Sequence, residues 1–378
     1  MSDDNTTVQY DERRGLWNVT GHPEILAVLG DPRTFSSNVS RIFADTVDPA
    51  LSDGNLVQMD PPDHRRLRTL VSHAFTPKMV ADLAPRVTAL STELLDAVDG
   101  ELELISQLAH PLPVIVIAEL LGVPASDREL FRQWADILLG DDAEITARDG
   151  DGEQARRFKE QFEALKPMKD YLLAHAVERR ARPRADLLTE LVRAEVGGER
   201  LTDDQLFNFA TLLLLAGHIT TTMLLGNTVL CLDENPEQAA RIRADRSLVP
   251  TAIEESLRLR SPFTALARAT MTEVELGGRR IPADRLLLLG VDRANRDPRV
   301  FDRPGEFDPA RDPNPHLAFG RGIHFCLGAP LARLEGRIAL NLLLDRFPVL
   351  ATDPDNPPVP MPSPTMSGVT SLPLRTAY

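Results

Sequence analysis

The stretch HLAFGRGIHFCLGAPLARLEGRIALNLLL, residues 316–344, decides how this chain is read. Gly320, Gly322 and Gly328 bracket Cys326, and apolar spacing over 327–347 predicts a helix beginning just after the cysteine. Glycines free the backbone to adopt positive φ and let a flat group approach closely. A helix start directs N–H groups and a positive dipole end at a nearby sulfur, favouring thiolate over thiol. An isolated cysteine in such a turn is more often a buried structural thiol. The neighbouring motifs decide against that reading.

Upstream of the loop, EESLRLRSP places Glu255 and Arg258 at i, i+3, on one side of a helix. Alone the pair carries little weight, since ion pairs at this spacing are common on surfaces. Further upstream, LLLLAGHITTTMLLGN (212–227) interrupts an apolar helix with Ala-Gly-His, an isoleucine and three threonines. Gly217 costs about 1 kcal/mol inside a helix, and β-branched residues lose side-chain freedom there. A helix that only filled a core would use Leu and Ala.

Bulk properties narrow the classes of function. With 378 residues, 43% hydrophobic and 26% charged, the chain can bury a core large enough to enclose a sizeable ligand. A net charge of −14 argues against nucleic acid as the main partner. Two cysteines, Cys231 and Cys326, make neither a disulfide scaffold nor a clustered zinc site. The N-terminal MSDDNTTVQYDERRG reads as neither signal peptide nor membrane anchor. No apolar run approaches the ~20 residues of a membrane span. These features lead us to expect a cytoplasmic protein without a membrane partner.

Helical periodicity dominates. A strand is expected at 15–20, followed by a helix at 22–29 and a polar, irregular stretch at 36–62 of the kind that often lies over a binding site. Helices are expected at 64–74, 77–98, 106–121, 127–139, 154–180, 186–195, 204–232, 237–243 and 248–259. The charged run 141–153 reads as a loop. A hairpin around Gly277-Gly278 precedes an apolar strand at 286–291, and a short strand closes the chain at 367–374. One mainly helical domain over 1–378, with small peripheral sheets, is expected.

Taken together, the motifs carry a resemblance. The string Phe319 to Gly328 is similar to the haem-ligand loop of the cytochrome P450 family. Glu255 and Arg258, about seventy residues before the cysteine, resemble that family's buried Glu–Arg pair, with Arg311 of FDPARDP as third member. Ala216-Gly217-His218-Ile219-Thr220-Thr221 resembles its oxygen-binding helix segment. The likeness extends over about 20–374 with the motifs in order. It implies a helix-rich fold shaped like a triangular prism around a buried haem b (iron protoporphyrin IX).

The resemblance also implies roles for residues. Cys326 would be the metal ligand, with Phe319, Gly320 and Gly328 shaping its loop. His64, Arg68, Arg268 and His324 match positions that hold the haem propionates, and His64 and Arg68 share one helix face. Ala216, Gly217 and Thr220 would form the catalytic segment, the glycine and threonine keeping the helix thin and bent to leave room for dioxygen. A threonine hydroxyl can also bond to the carbonyl four residues earlier. The substrate pocket would draw on Leu215, Ala216, Ile219, Phe263, Thr264, Thr365 and Met366, which periodicity alone would call core. Arg65, Arg66, Arg321, Arg333 and Arg337 would form a basic face docking a small acidic iron–sulfur protein. Surface arginines are otherwise read as solubilising charge.

The pattern breaks at Ile219, where the family usually carries an acid that helps to relay protons. His218 lies about 200° around the helix from Thr220, so it reads as a packed histidine. The expected activity is monooxygenation, by hydroxylation or epoxidation, of a lipophilic small molecule, free or tethered to a carrier protein. The AGHxTT string resembles bacterial members that tailor secondary metabolites such as polyketides and macrolides. Electrons would come from NAD(P)H through ferredoxin reductase and ferredoxin, and the protein would act as a monomer. A peroxide-driven peroxygenase is the alternative enzyme. A non-catalytic partner-activating relative ranks below both, because Cys326 and its loop are intact.

Overall fold

The computed structural model describes residues 6–42, 54–139, 160 and 163–376. The charged run 141–153, part of the irregular stretch at 36–62 and the first residues of the helix expected at 154–180 lie outside them. The helices are α1 (His22–Gly30), α2 (Asp63–Ala74), α3 (Pro77–Asp82), α4 (Ala84–Asp96), α5 (Pro111–Leu120), α6 (Arg128–Leu139), α7 (Lys166–Ala181), α8 (Leu187–Arg193), α9 (Asp203–Glu234), α10 (Pro236–Ala244), α11 (Val249–Leu259), α12 (Val291–Ala294) and α13 (Ala329–Arg346).

Prolines cut the helices where periodicity ran on. The helix expected at 77–98 is two, α3 and α4, joined at Leu83, because the Pro85 ring cannot follow a preceding helical turn. Pro111 and Pro113 act likewise on the run 106–121: a π-turn, Ile105–Ala109, precedes α5. The helix expected at 186–195 stops at Arg193, and a hairpin, Glu195–Val196 with Glu199–Arg200, turns through Gly197 and Gly198, both at positive φ.

α9 is the axis of the larger core. Thr202 accepts from the Gln205 N–H while the Gln205 side chain accepts from the Thr202 N–H, a reciprocal cap that starts the helix. From Thr221 to Leu232 every residue is buried, whichever way it faces. Contrary to the expectation that no apolar run is long enough to span a membrane, α9 has the length and apolarity to do so. Its burial shows what its composition serves: α5, α11, α13 and the π-turn pack around it.

A second apolar cluster, including Val8, Ile25, Leu287 and Leu289, lies against a five-stranded sheet. Its order is Val8–Asp11, Leu16–Val19, Leu286–Gly290, Ala265–Thr270 and Phe35–Ser36. Leu286–Gly290 runs parallel to Leu16–Val19 and antiparallel to Ala265–Thr270, with Leu287 opposite Arg268. The strand Ala265–Thr270 was not expected, since ALARAT lacks a clear alternation. The hairpin Val274–Leu276 with Arg279–Ile281 forms where Gly277-Gly278 predicts it. The closing strand is two, Val369–Ser371 and Pro373–Arg375, divided at Leu372.

Candidate active site

Cys326 sits in a turn built on two left-handed glycines, Gly320 (φ 67°) and Gly322 (φ 71°). A Cβ on Gly322 would lie 2.4 Å from the Leu29 carbonyl oxygen, a backbone atom that cannot swing aside. Gly328 departs from the expectation. Its φ is −81°, open to any residue, and a Cβ there would meet Cys326 Sγ at 3.9 Å, an ordinary contact. The Cys326 N–H donates to Phe319 O at 2.9 Å. Burial pushes the thiol up, against the Gly328 and Ala329 N–H groups and the Arg68 and Arg333 charges, which pull it down. The helix start therefore acts as expected but is outweighed. A neutral thiol is favoured until a cation takes the sulfur's charge.

Basic groups gather beside this loop. The His64 ring lies 4.2 Å from that of His324, and its buried Nε2 has no hydrogen-bond partner among the described residues. Arg68, one turn along α2, donates Nη2 to Phe325 O at 2.7 Å. Arg268, on the strand Ala265–Thr270, is buried with Nη1 on the adjacent Ala267 carbonyl at 2.7 Å. Burial pushes Arg268 down to about 10, and burial together with the His64, Arg268 and Arg68 charges pushes His324 down to about 3. Among the described residues no carboxylate pairs with any of these four. Asp60 is near enough to act on His64 and Arg268, but its oxygens are held by Ser36 Oγ and, at 2.8 Å, by Ser37 N.

α9 is continuous through 216–222, with no break in its helical pattern. Ala216 is exposed and Leu215 and Thr220 are partly so, while Ile219 is 4% exposed and turned into the interior. Ile219 therefore offers little surface to the expected pocket. Thr220 Oγ1 donates to Ala216 O at 2.6 Å, the back-bond expected of this threonine. Gly217 also has a packing neighbour. A Cβ there would lie 2.6 Å from Ile117 Cδ1, so this glycine lets α5 approach α9. His218 is buried, with Nδ1 3.0 Å from Leu214 O and its ring edge-on to His110.

The other expected pocket residues come together. Phe263 bridges Met366, and the Thr264 N–H donates to Thr365 O at 2.8 Å. All four keep accessible surface, Phe263 as much as 37%. Further back, Glu255 is buried and binds Arg258 Nε and Nη2 at 2.8 Å each and Arg311 Nε at 2.9 Å. Arg258 and Arg311 pass their remaining N–H groups to carbonyls of the coil, among them Asn295, Pro304 and Asp302. The trio ties α11 to the coil that leads into the cysteine loop.

A family model described as Cytochrome P450 matches residues 151–377. The chain is 47% identical to cyclomarin C epoxidase CymV of Salinispora arenicola, over 88% of this chain and 83% of the relative. It is 43% identical to erythromycin C-12 hydroxylase of Saccharopolyspora erythraea, over 92% and 86%. The crystal structure of HmtT, involved in himastatin biosynthesis, superposes with a TM-score of 0.92 at 57% identity, covering 99% of this chain and 95% of that one.

The chain belongs to the cytochrome P450 family. It is a monooxygenase of mainly α architecture. Haem is the family's prosthetic group, and the residues present fit it. The Cys326 sulfur, which burial keeps as a neutral thiol, lacks a cation, and next to it a basic cluster, with a His64 Nε2 that has no partner among the described residues, lacks an anion. An iron porphyrin with two carboxylates supplies both. His324 has a second task in this P450, since its Nε2 lies 2.8 Å from Ser37 Oγ. Ser37 and Asp60 were not foreseen, and only the Asp-Pro-Pro before α2 hinted at them.

The arginine face needs correction. Arg333 is bound by Glu254 at 2.8 and 2.7 Å and stacks 4.5 Å over Phe319, so it braces the cysteine loop. Arg66 pairs with Glu199 at 2.6 Å. Arg65, Arg321 and Arg337 are exposed and make no ion pair among the described residues.

Proposed function

We propose that this cytochrome P450 monooxygenase hydroxylates or epoxidises a lipophilic secondary metabolite, using electrons passed from NAD(P)H through ferredoxin reductase and ferredoxin. One observation carries the reading: Cys326, in its glycine turn, stands beside Arg68 and Arg268, which pair with no carboxylate among the described residues. The relatives support the substrate class, since their names place them on cyclomarin C, erythromycin and himastatin routes.

Bound haem supplies oxygen activation and the transfer of one oxygen atom from O2 to substrate. Cys326 Sγ would hold it, and His64, Arg68 and Arg268 would bind its carboxylates. Phe263, Thr264, Thr365 and Met366, with Leu215 and Ala216 from α9, present apolar surface that orients the substrate and excludes water. The Thr220 hydroxyl spends its proton on Ala216 O, so Oγ1 is left to accept from a water and hold it for proton delivery. Ile219, buried and hydrocarbon, adds no ionisable group to that path. Arg65, Arg321 and Arg337 attract the acidic electron donor.

The test is spectroscopic. Reduced protein with carbon monoxide is expected to show the red-shifted Soret band of thiolate ligation, and Cys326→Ala is expected to lose it. A wild-type band like that of histidine-ligated haem refutes the reading. The missing acid at Ile219 favours one second reading, a peroxide-driven peroxygenase, which turnover with hydrogen peroxide but not with ferredoxin would select.

A further inference from the structure

Asn227 is fully buried on α9, and its side chain faces two carbonyls. Nδ2 donates to Arg260 O at 3.0 Å and to Ser367 O at 2.9 Å. These carbonyls belong to two separate irregular segments. One leads through Pro262 to Phe263 and Thr264, and the other follows Thr365 and Met366. The segments also bond to each other, Ser367 N to Pro262 O at 2.9 Å and Thr264 N to Thr365 O at 2.8 Å. A single nitrogen on α9 thus holds both, so neither can slide along the helix without breaking a bond.

Asn227 is seven residues beyond Thr220, which puts it about 20° away around the helix and ~10 Å along it. The residue that fixes the pocket segments therefore shares a face with the hydroxyl assigned to proton delivery. Close packing supports the same register. A Cβ on Gly368 would lie 2.0 Å from Met223 Sδ, and one on Gly226 would lie 3.4 Å from Val369 Cγ2. Asn227 Oδ1 meanwhile is buried without a partner among the described residues, a cost that is offset only by what Nδ2 holds.

We infer that Asn227 is a positioning residue for substrate: its amide sets the register of the two pocket segments against the part of α9 that carries Thr220. This rests on the reading above that Phe263, Thr264, Thr365 and Met366 meet the substrate. The variants are Asn227→Leu, which keeps the bulk and loses both donors, and Gly368→Ala, which lifts the same turn from Met223 without touching the amide. The probes are imidazole, which needs only the haem, and 4-phenylimidazole, whose second ring must fit the pocket. Both are titrated on the haem-loaded protein by difference spectroscopy.

Both variants are expected to keep the thiolate Soret band and wild-type imidazole affinity, while 4-phenylimidazole binding weakens about tenfold, or ~1.4 kcal/mol. Equal weakening of the two probes, or none, overturns the inference. Asn227→Leu protein that fails to take up haem also overturns it, since the amide would then hold the whole fold. A wild-type protein without the thiolate band refutes the functional reading itself, and is told apart because it needs no variant.

Discussion

Replacing Glu255 by glutamine tests whether the buried trio holds the coil behind the cysteine loop. Glu255 accepts from Arg258, Arg311, Asn314 Nδ2 and Asp308 N. Glu255 and Arg258 are fully buried, and the Arg311 side chain is 8% exposed. Glutamine keeps the shape but removes the only carboxylate between two arginines, and turns an NH2 group toward their N–H groups. Uncovering a buried charge in this way costs about 3–5 kcal/mol. Unfolding entropy of ~2.1 cal/mol/K per residue, over 378 residues, comes to about 0.8 kcal/mol/K. The midpoint is then expected to fall by about 4–6 °C. Far-UV circular dichroism of haem-loaded protein at one scan rate measures it, and proteolysis is expected to cut the coil at 295–314 first. Lys78→Ala, which breaks an exposed pair with Asp82, serves as the control and is expected to leave the midpoint unchanged. A Glu255→Gln shift under about 1 °C would show that the trio does not carry the coil.

Three further outcomes follow from the site. Thr220→Ala and Thr220→Val are expected to yield less product per NAD(P)H consumed, while Thr220→Ser stays near wild type; equal coupling in all three removes Thr220 from proton delivery. Charge reversal at Arg65, Arg321 and Arg337 is expected to raise the ferredoxin concentration needed for half-maximal turnover, and added salt to do the same, with substrate binding unchanged. Insensitivity to both places electron entry elsewhere. Burial pushes Glu335 up to about 8, so the folded protein keeps it protonated while the unfolded chain ionises near 4.5. Its folded pKa is the higher, so its stabilising contribution is full below about 4.5 and is lost as pH rises toward 8. Glu335→Gln is expected to flatten the loss of denaturation midpoint between these pH values, and an unchanged slope assigns that loss to other groups.

The cysteine loop was legible because its chemistry is contiguous. Glycines, ligand and helix start follow one another within residues 320–329, so no distant element is needed to assemble them. The Glu255–Arg258 pair was legible for a similar reason, since helical geometry alone joins i and i+3. Periodicity also placed α9 and α13 closely, and erred where a proline overrode it, as at Pro85, where a glycine turn cut a helix short, as after Arg193, and where a strand lacks alternation, as at Ala265–Thr270. What periodicity cannot supply is the neighbour that covers a given face. Gly217 read as room for a ligand, and nothing in the sequence signals that Ile117 of α5, 100 positions away, packs against it as well. Ile219 lies one residue from the partly exposed Thr220 but is itself buried. Arg66 and Arg333 look like free surface charge until Glu199 and Glu254 are brought to them from 133 and 79 residues away. Asn227 has no local signal at all, because both its acceptors are backbone carbonyls, and any sequence can place those. Local order follows from the sequence through short-range sterics and hydrogen bonding, whereas the partners of a charge or an amide depend on which elements pack together, and that only the tertiary structure decides.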